Sequence, residues 1–397
     1  MTEKIYEKQS YIKEYKTVVT DCIKEDDKVY IKLKETIFFP EEGGQYSDRG
    51  QIISKDRTVN VLKGELIGSA TETQTDIRYL VDSEVEAGTE VLCKLDWDTR
   101  FDRMQNHSGE HILSGLIHNC YGYNNVGFHL SDDEPVTLAV DGLLNDEQIK
   151  DLEKKANAVI YRNLPIKDSY PSKSELVNIT YRSKIDIAGQ VRLITIGDEN
   201  ETIDICACCA PHVKLTGAIG IIKIISFMKF KGGTQLSILC GRRALEYITK
   251  NIDNLNRIAK GFSTHPDNVA AIVSNLKEEN MSLNARVSEL TESMIIDRIY
   301  KNEYDRLVFA DMDLSAANMK NIYNALTDSR EGYVAVLTGS DDKGYRFYAG
   351  GKDLDAKKLS EMMRQNLNSK GGGSSEMIQG RIECEREKII NFWETMS

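Results

Sequence analysis

The sequence contains no long apolar run, and this absence argues against a membrane-spanning protein. None of its 397 residues falls in a stretch close to the roughly 20 consecutive apolar residues of a spanning helix. The first eight residues, Met1 to Lys8, are too polar for a secretory signal peptide. The eight cysteines do not form the dense pattern of a secreted disulfide framework. We therefore expect a cytoplasmic protein whose reduced cysteines are free to bind metal.

Positive charge is also scarce. Lys and Arg total 51 against 62 Asp and Glu, which gives a formal net charge of −11. Because phosphate binding rests on Lys and Arg, this balance argues against a large nucleic-acid footprint, although local basic patches can exist on an acidic body. The apolar content of 41% is typical of a globular protein, and the chain is too long for a single core. Several domains are expected.

The apolar pattern changes along the chain and predicts an α+β multidomain protein. Residues 1–95 contain short alternating strands, which predict a small β-barrel domain. Residues 96–240 combine helices with a mostly antiparallel sheet in an α+β domain. Residues 241–297 repeat apolar side chains every three and four positions, which is typical of two helices. Residues 298–397 alternate strands and helices, as in a small α/β domain.

The two helices of residues 241–297 have two possible partners. Packed on each other, they would form an antiparallel helical hairpin within one chain. Alternatively, the second helix would form a dimeric coiled coil, in which Asn280 at a core position fixes the register. A homodimer is therefore possible through this hairpin or through the C-terminal domain.

Two short motifs predict a metal site. His107 and His111 precede apolar residues at helical spacing, so both imidazoles should lie on one face of a helix, one turn apart. Cys208 and His212 repeat the four-residue spacing, and Pro211 favours a turn there. Imidazole together with thiolate selects Zn²⁺ over Mg²⁺ or Ca²⁺, and we expect one ion per chain. Four protein ligands usually mean a structural site, so in a catalytic site either one ligand is displaced or the zinc positions substrate without activating water.

The first motif has a second interpretation. Residues His107 to His111 fit the H-x-x-E-H pattern of the inverzincin metallopeptidases, in which Glu110 would be the general base. A peptidase would require a downstream carboxylate as its third ligand. It would also leave the Cys208 and His212 pair unexplained.

Two segments are rich in glycine. The segment from Thr36 to Gly50 contains a glycine pair, which permits close approach to a ligand or a positive φ, and Gln45, which offers a donor and an acceptor. On its own this segment favours a hairpin turn. The stretch Gly371–Gly373 lies between Lys370 and Arg381. It predicts a flexible loop or, alternatively, a loop that holds phosphate through backbone N–H groups.

In combination, these motifs resemble the alanyl-tRNA editing proteins (the AlaX family), which are free-standing relatives of the editing domain of alanyl-tRNA synthetase. By this resemblance residues 96–240 would be a zinc-dependent editing domain, and residues 298–397 a DHH-associated RNA-binding domain that follows a helical hairpin linker. No aminoacylation domain precedes them, so such a protein would act in trans. The segments that carry the resemblance keep one order along the chain: residues 39–50, 106–111, 127–130, 208–220 and 371–380.

The resemblance implies hydrolysis of the ester that links a wrong amino acid, serine or glycine, to tRNA(Ala). Thr36 would face the substrate's side chain, and such a hydroxyl distinguishes serine better than a missing methyl group could. Gln45 would lie on the glycine-rich loop of the site, and Glu110 stands where many relatives carry alanine or glutamine. Cys206 and Cys209 add thiols that compete for zinc. The residues that match the family's zinc ligands are His107, His111, Cys208 and His212.

The resemblance also implies a tRNA partner. The acceptor stem and 3′ end of tRNA(Ala) would be held between two basic patches, chiefly through phosphate and 2′-OH contacts. Without the resemblance, the basic residues of these patches would be interpreted as ordinary solvent-exposed surface. A third hypothesis is a tRNA-binding protein without catalysis, in which zinc only holds the fold. The expected tRNA-binding residues are Lys229, Lys231, Arg242, Arg243, Lys370 and Arg381.

Overall fold

The computed structural model describes residues 1–68, 76–183 and 189–396. The chain divides into two compact parts, Met1–Asn254 and Leu255–Ser397. Both combine helices with sheets, so the predicted mixed α+β multidomain class is confirmed. The finer division into four regions stays a prediction. No helix among the described residues has the length and apolar character needed to cross a bilayer.

The first part begins with a closed six-stranded barrel, as the alternating pattern predicted. Neighbouring barrel strands follow the order β2-β3-β7-β6-β5-β8, and β1 pairs with β4 in a separate two-stranded ladder. Alternate residues of β7 face the core, so Ile77, Tyr79 and Val81 are buried. The elements are β1 (Glu3–Lys4), α1 (Ile5–Lys8), β2 (Glu14–Glu25), β3 (Lys28–Leu33), β4 (Glu35–Thr36), β5 (Gly50–Ile53), β6 (Thr58–Ile67), β7 (Asp76–Val81) and β8 (Glu90–Leu95).

A long helix, α2 (Trp97–Tyr121), follows the barrel. It begins after Asp96, whose carboxylate accepts a hydrogen bond from the Thr99 amide, and ends at Gly122 in the left-handed conformation, with φ +73°. The elements after it are β9 (Asn125–His129), β10 (Val136–Val140), α3 (Asp146–Tyr161), β11 (Ile166–Ser169), α4 (Lys173–Leu176), β12 (Leu193–Gly197), β13 (Thr202–Ala207), a 3-10 turn (Thr216–Ile219), β14 (Ile222–Phe230), β15 (Gly233–Cys240) and α5 (Gly241–Gly261).

Helix α2 packs closely on two antiparallel sheets, ordered β14-β15-β10-β9 and β11-β12-β13. Glycines make this approach possible. A Cβ at Gly109 would lie 2.3 Å from the Cys240 sulfur, and a Cβ at Gly115 would lie 2.5 Å from the Ile203 carbonyl oxygen. The helix is consequently buried along residues 102–117, and its two predicted metal ligands lie inside the protein.

The second part contains a five-stranded sheet in the order β16-β17-β18-β20-β19. The glycine-rich stretch predicted as a loop is strand β19, so that prediction was wrong. A Cβ at Gly371 would lie 2.2 Å from the Gln379 carbonyl oxygen, so glycine allows this close strand pairing. The elements are a 3-10 turn (Pro266–Asn268), α6 (Val269–Tyr300), β16 (Leu307–Ala310), α7 (Ala316–Ser329), β17 (Val334–Ser340), β18 (Gly344–Gly350), α8 (Ala356–Leu367), β19 (Lys370–Gly373), β20 (Met377–Ile382) and α9 (Arg386–Glu394).

Helix α6 carries an exposed apolar stripe. Its members lie at heptad spacing along the helix, and Asn280 falls in the same series. The Asn280 side-chain oxygen accepts a hydrogen bond from Asn284 at 2.8 Å. The side chains exposed by 41% to 56% in this stripe are Val273, Leu276, Leu283, Leu290 and Met294.

Candidate metal centre

Four donor side chains that are distant in sequence come together inside the first part. Their ligand atoms all lie within 4.8 Å of one another. The Cys208 sulfur lies 3.6 Å from Nε2 of His107 and 3.3 Å from Nε2 of His212. Ligands at about 2.0 Å (nitrogen) and 2.3 Å (sulfur) around tetrahedral zinc stand roughly 3.5 Å apart. The predicted set of His107, His111, Cys208 and His212 is therefore a possible metal site, with donor spacings that a zinc ion would fit.

Each histidine of the set has a separate hydrogen-bond partner on its other ring nitrogen. Nδ1 of His107 lies 2.7 Å from Gln45 Oε1, and Nδ1 of His212 lies 3.0 Å from the Ser108 hydroxyl. Nδ1 of His111 lies 3.0 Å from an Asp204 carboxylate oxygen. These contacts come from the glycine-rich loop, from α2 and from β13. They orient all three rings with Nε2 toward Cys208, as partners of metal-bound histidines do.

Asp204 is itself held by an arginine. The Arg182 guanidinium donates to both carboxylate oxygens, at 2.7 and 2.8 Å, and only 4% of Asp204 is exposed. Burial raises the pKa of Asp204, but His111 and Arg182 outweigh it and hold the pKa below its ordinary value. The carboxyl is therefore ionised and able to hold the imidazole in place.

The glycine-rich loop is tied to α2 by buried ion pairs. Asp48 accepts hydrogen bonds from the Phe39 amide, at 2.6 Å, and from the Arg100 Nε, at 2.9 Å. Arg103 donates to the Ser47 carbonyl oxygen at 2.6 Å. Both arginines are nearly fully buried, at 0% and 2% exposed. Because these contacts fix the loop against the helix, they place Gln45 beside His107.

The three clustered cysteines have different environments. Burial raises the pKa of Cys208, but the neighbouring His107 and His212 imidazoles outweigh it and lower the pKa well below its ordinary value. Burial raises the pKa of Cys206 to about 11 and that of Cys209 well above its ordinary value. Since the thiolate is the form that binds metal, Cys208 is the strongest candidate ligand of the three.

The other expected site residues lie in different surroundings. The Thr36 hydroxyl is 2.7 Å from the Tyr79 hydroxyl and accepts the Phe38 amide at 3.1 Å, inside the barrel. Tyr79 donates onward to the Phe38 carbonyl at 2.8 Å, so Thr36 donates to Tyr79. None of the hydrogen bonds found among the described residues joins Thr36 to the four donors.

Glu110 lies beside the cluster. Its Oε1 accepts hydrogen bonds from the Ser114 hydroxyl and from the Asn125 amide, both at 2.5 Å. Its Oε2 lies 4.0 Å from Nε2 of His111. One carboxylate oxygen is thus held by neighbours, and the other points toward the metal ligands.

The expected basic residues differ in how far they are engaged. Arg242 pairs with Asp102 and, at 3.0 Å, with Glu246. Arg243 donates to backbone carbonyl oxygens of residues 131 and 134. Lys229 and Lys231 are exposed at the end of β14, and Lys370 and Arg381 are exposed on the edge pair β19–β20.

Sequence reasoning missed the residues that position the metal ligands. Asp204 had one signal, a charge inside the apolar strand segment Ile203–Ile205. Ser108 lies within the histidine motif but has no pattern of its own. The Asp48 and Arg100 pair is 52 residues apart in sequence and leaves no local signal.

Comparisons with known proteins identify relatives of the chain. The family model described as the threonyl and alanyl tRNA synthetase second additional domain matches residues 191–236, a range that includes Cys208 and His212. The chain is 27% identical to alanyl-tRNA editing protein AlaX-L of Pyrococcus horikoshii over 98% of this chain and 97% of that protein. It is 28% identical to alanyl-tRNA editing protein Aarsd1-B of Xenopus laevis over 91% of this chain and 88% of that protein. The alanine–tRNA ligase of Ignicoccus hospitalis is 24% identical over 98% of this chain and 42% of the ligase. The resemblance to alanyl-tRNA editing proteins that the motifs predicted is therefore confirmed, and it extends over nearly the whole chain.

Proposed function

We propose that this protein is a zinc-dependent hydrolase that deacylates tRNA(Ala) mischarged with serine or glycine, acting in trans in the cytoplasm. The observation that carries the proposal is the convergence of His107, His111, Cys208 and His212 into one cluster of donor atoms. The full-length similarity to alanyl-tRNA editing proteins supports this substrate, because tRNA editing is what those proteins are named for.

The reaction is the addition of water to an ester, in which the acyl–oxygen bond breaks and a free amino acid and a 3′-terminal ribose hydroxyl are released. A zinc ion held by the four residues would supply a Lewis acid for the ester group. Gln45 uses its Oε1 to hold His107, while its buried Nε2 has no partner among the described residues. We assign this amide N–H to the ester carbonyl oxygen, on which negative charge develops during hydrolysis.

Thr36 is the proposed selector for serine. Its hydroxyl already donates to Tyr79, so a serine hydroxyl would take one place in a buried hydroxyl network. Thr36→Val keeps the volume and removes the hydroxyl. We expect this variant to lose activity on Ser-tRNA(Ala) by about tenfold or more while its activity on Gly-tRNA(Ala) stays within about twofold, because only serine offers the matching group. Equal losses on both substrates would contradict the assignment.

Glu110 separates the proposal from its enzymatic rival. A peptidase with the H-x-x-E-H motif would need this carboxylate as its base, and the 4.0 Å distance between Glu110 Oε2 and His111 Nε2 is the observation in favour of a base here. Glu110→Gln in a peptidase would abolish peptide cleavage with zinc retained. We expect no peptide cleavage by the wild type and assign Glu110 to orienting water in ester hydrolysis.

Recognition of tRNA is assigned to the exposed cations. Because Arg242, Arg243 and Arg381 are engaged within the protein, we expect the larger contribution from Lys229, Lys231 and Lys370. Replacing Lys229 with glutamate should raise the KM for the tRNA and reduce its salt dependence. The same change at Lys55, an exposed residue in the turn between β5 and β6, is the matched control.

A homodimer through the apolar stripe of α6 belongs to the same proposal. The stripe follows the heptad pattern of a coiled coil, and Asn280 is the polar residue that would fix its register. Sedimentation equilibrium of the whole chain should give twice the monomer mass, and Leu283→Lys should give the monomer mass. A wild type that sediments as a monomer at micromolar concentration would remove the dimer from the proposal.

The experiment that tests the proposed activity compares His107→Ala and Cys208→Ala with the wild type. Both variants should lose bound zinc and should release serine from Ser-tRNA(Ala) at the spontaneous rate. A variant that loses zinc but retains full deacylation would contradict zinc dependence. A wild type that binds tRNA(Ala) with zinc in place but never deacylates it would favour the non-catalytic tRNA-binding hypothesis.

A further inference from the structure

Unpaired polar atoms lie close to the candidate metal centre. Among the described residues, three buried atoms near Cys208 and Cys209 have no hydrogen-bond partner: the Tyr6 hydroxyl, Glu42 Oε2 and Gln45 Nε2. Tyr6 and Gln45 are both 0% exposed. A buried polar group without a partner is unfavourable, so each needs a reason.

These groups belong to one region. Glu42 and Gln45 exchange backbone hydrogen bonds at 3.1 and 3.2 Å across the glycine pair. The turn runs beside the metal-binding loop, since a Cβ at Gly43 would lie 3.9 Å from the Cys209 sulfur. Cys208 and Cys209 pack against the barrel core that contains Tyr6.

The Glu42 carboxyl joins this region to the metal loop. Burial raises the pKa of this carboxyl above its ordinary value, and the nearby Lys4 ammonium and Cys209 thiol act against that rise. The nearby Lys4 ammonium pairs with Glu7 at 3.6 Å, and no ion pair within 4 Å joins it to Glu42 among the described residues. The carboxyl therefore has capacity left for another cation.

The three unpaired groups match one kind of ligand. A carboxylate and a phenol oxygen can accept hydrogen bonds from a cation, whereas Nε2 of Gln45 can only donate. An α-amino acid ester presents an ammonium group three bonds from a carbonyl oxygen. A phosphate or carboxylate ligand fits badly, because Glu42 and Glu7 would repel it.

We propose that Glu42 and Tyr6 bind the α-ammonium group of the aminoacyl ester. The inference rests on the proposed deacylase function and names the substrate group that these two residues recognise. Glu42 supplies the negative charge, and the Tyr6 hydroxyl supplies a neutral acceptor. With the ammonium held there, the carbonyl oxygen faces Gln45.

The test compares two esters of the same tRNA. One is Ser-tRNA(Ala), and the other is its α-hydroxy analogue, in which a hydroxyl replaces the ammonium at nearly the same size. The wild type should prefer the amino ester by about tenfold or more in kcat/KM, since hydrogen bonds to charged groups are the stronger ones. Glu42→Gln should lose about ten- to hundredfold on the amino ester and less than about threefold on the hydroxy ester. Tyr6→Phe should show the same selective loss at about three- to tenfold.

The controls separate binding from folding and from metal binding. Glu41→Gln changes the neighbouring carboxyl, which pairs with Lys63 at the surface, and should leave both rates unchanged. Glu42→Gln and Tyr6→Phe should retain one zinc per chain with wild-type affinity and wild-type melting temperature. Equal losses on both esters, or a Glu42→Gln variant that keeps the wild-type preference, would overturn the inference while leaving the deacylase function intact. A wild type that hydrolyses neither ester would overturn both.

Discussion

Replacing Asp204 with asparagine tests whether this carboxylate holds His111 in position at the candidate metal centre. In the native protein one carboxylate oxygen serves both His111, at 3.0 Å, and Arg182, at 2.8 Å, and the other serves Arg182 at 2.7 Å. Asparagine keeps the shape but turns one of these acceptors into a donor. An amide N–H must then face either the imidazole or the guanidinium, so at least one native hydrogen bond is lost.

The size of the effect follows from these contacts. Loss of the partner of a metal-bound histidine typically weakens metal affinity by about 10- to 100-fold, which is about 1.4–2.7 kcal/mol. Leaving Arg182 without its counter-ion also lowers stability. Breaking a buried pair costs about 3–5 kcal/mol, and the lower end applies because the Arg182 side chain is 15% exposed.

The assay is competition for zinc with a coloured chelator of known affinity. Asp204→Asn should bind zinc 10- to 100-fold more weakly than the wild type and should melt at a lower temperature. Glu199→Gln, an exposed carboxyl in the turn between β12 and β13, is the control and should match the wild type in both. A zinc affinity within about twofold of wild type would refute the role assigned to Asp204.

Three further predictions concern the loop, its glycine and the barrel. Asp48→Ala leaves the fully buried Arg100 without its carboxylate partner and should lower the free energy of unfolding by about 3–5 kcal/mol in a denaturant titration. Gly44 has a backbone φ of +83°, and Gly44→Ala adds a Cβ 2.5 Å from the Phe128 carbonyl oxygen, so this variant should weaken zinc binding. Gly88 has a similar φ of +87°, but a Cβ added there would meet no atom within 4 Å, so Gly88→Ala should lower stability without affecting zinc binding. Burial raises the pKa of Asp76, but hydrogen bonds from Thr2 and Lys32 outweigh it and lower the pKa to about 2. Ionised Asp76 therefore stabilises the fold above about pH 4, and this contribution disappears as the pH falls toward 2. Asp76→Asn should therefore be less stable than wild type at pH 6 and equal to it near pH 2.

Each of these three predictions has a measurable result that would contradict it. For Asp48→Ala it is a midpoint of unfolding equal to that of the wild type. For Gly44→Ala it is zinc binding as tight as in Gly88→Ala. For Asp76→Asn it is a stability difference from wild type that stays constant between pH 6 and pH 2.

The candidate metal donors could be singled out from the sequence because their signals are local. The four-residue spacing of His107 and His111 in an apolar helical pattern is enough to place both rings on one face. Cys208 and His212 repeat the spacing next to Pro211, and no other pair of this kind occurs in the chain. The convergence of the two motifs needed long-range contacts, which only the resemblance to a family could supply at the sequence level.

The supporting contacts could not be predicted, because they join residues that are far apart in sequence. Asp204 lies 93 residues from His111, and Gln45 lies 62 residues from His107. The glycine stretch at 371–373 shows a different failure. Local propensity favoured a loop there, but strand pairing with Gln379 and Gly380 overrides propensity where only glycine fits.

The most direct test of the central claim is the rate at which the purified protein releases each amino acid from Ser-, Gly- and Ala-tRNA(Ala), with and without a zinc chelator. The account predicts release of serine or glycine at least roughly tenfold faster than release of alanine, with all enzymatic release abolished by the chelator and restored by added zinc. Equal rates on all three substrates, or release that the chelator does not affect, would contradict it.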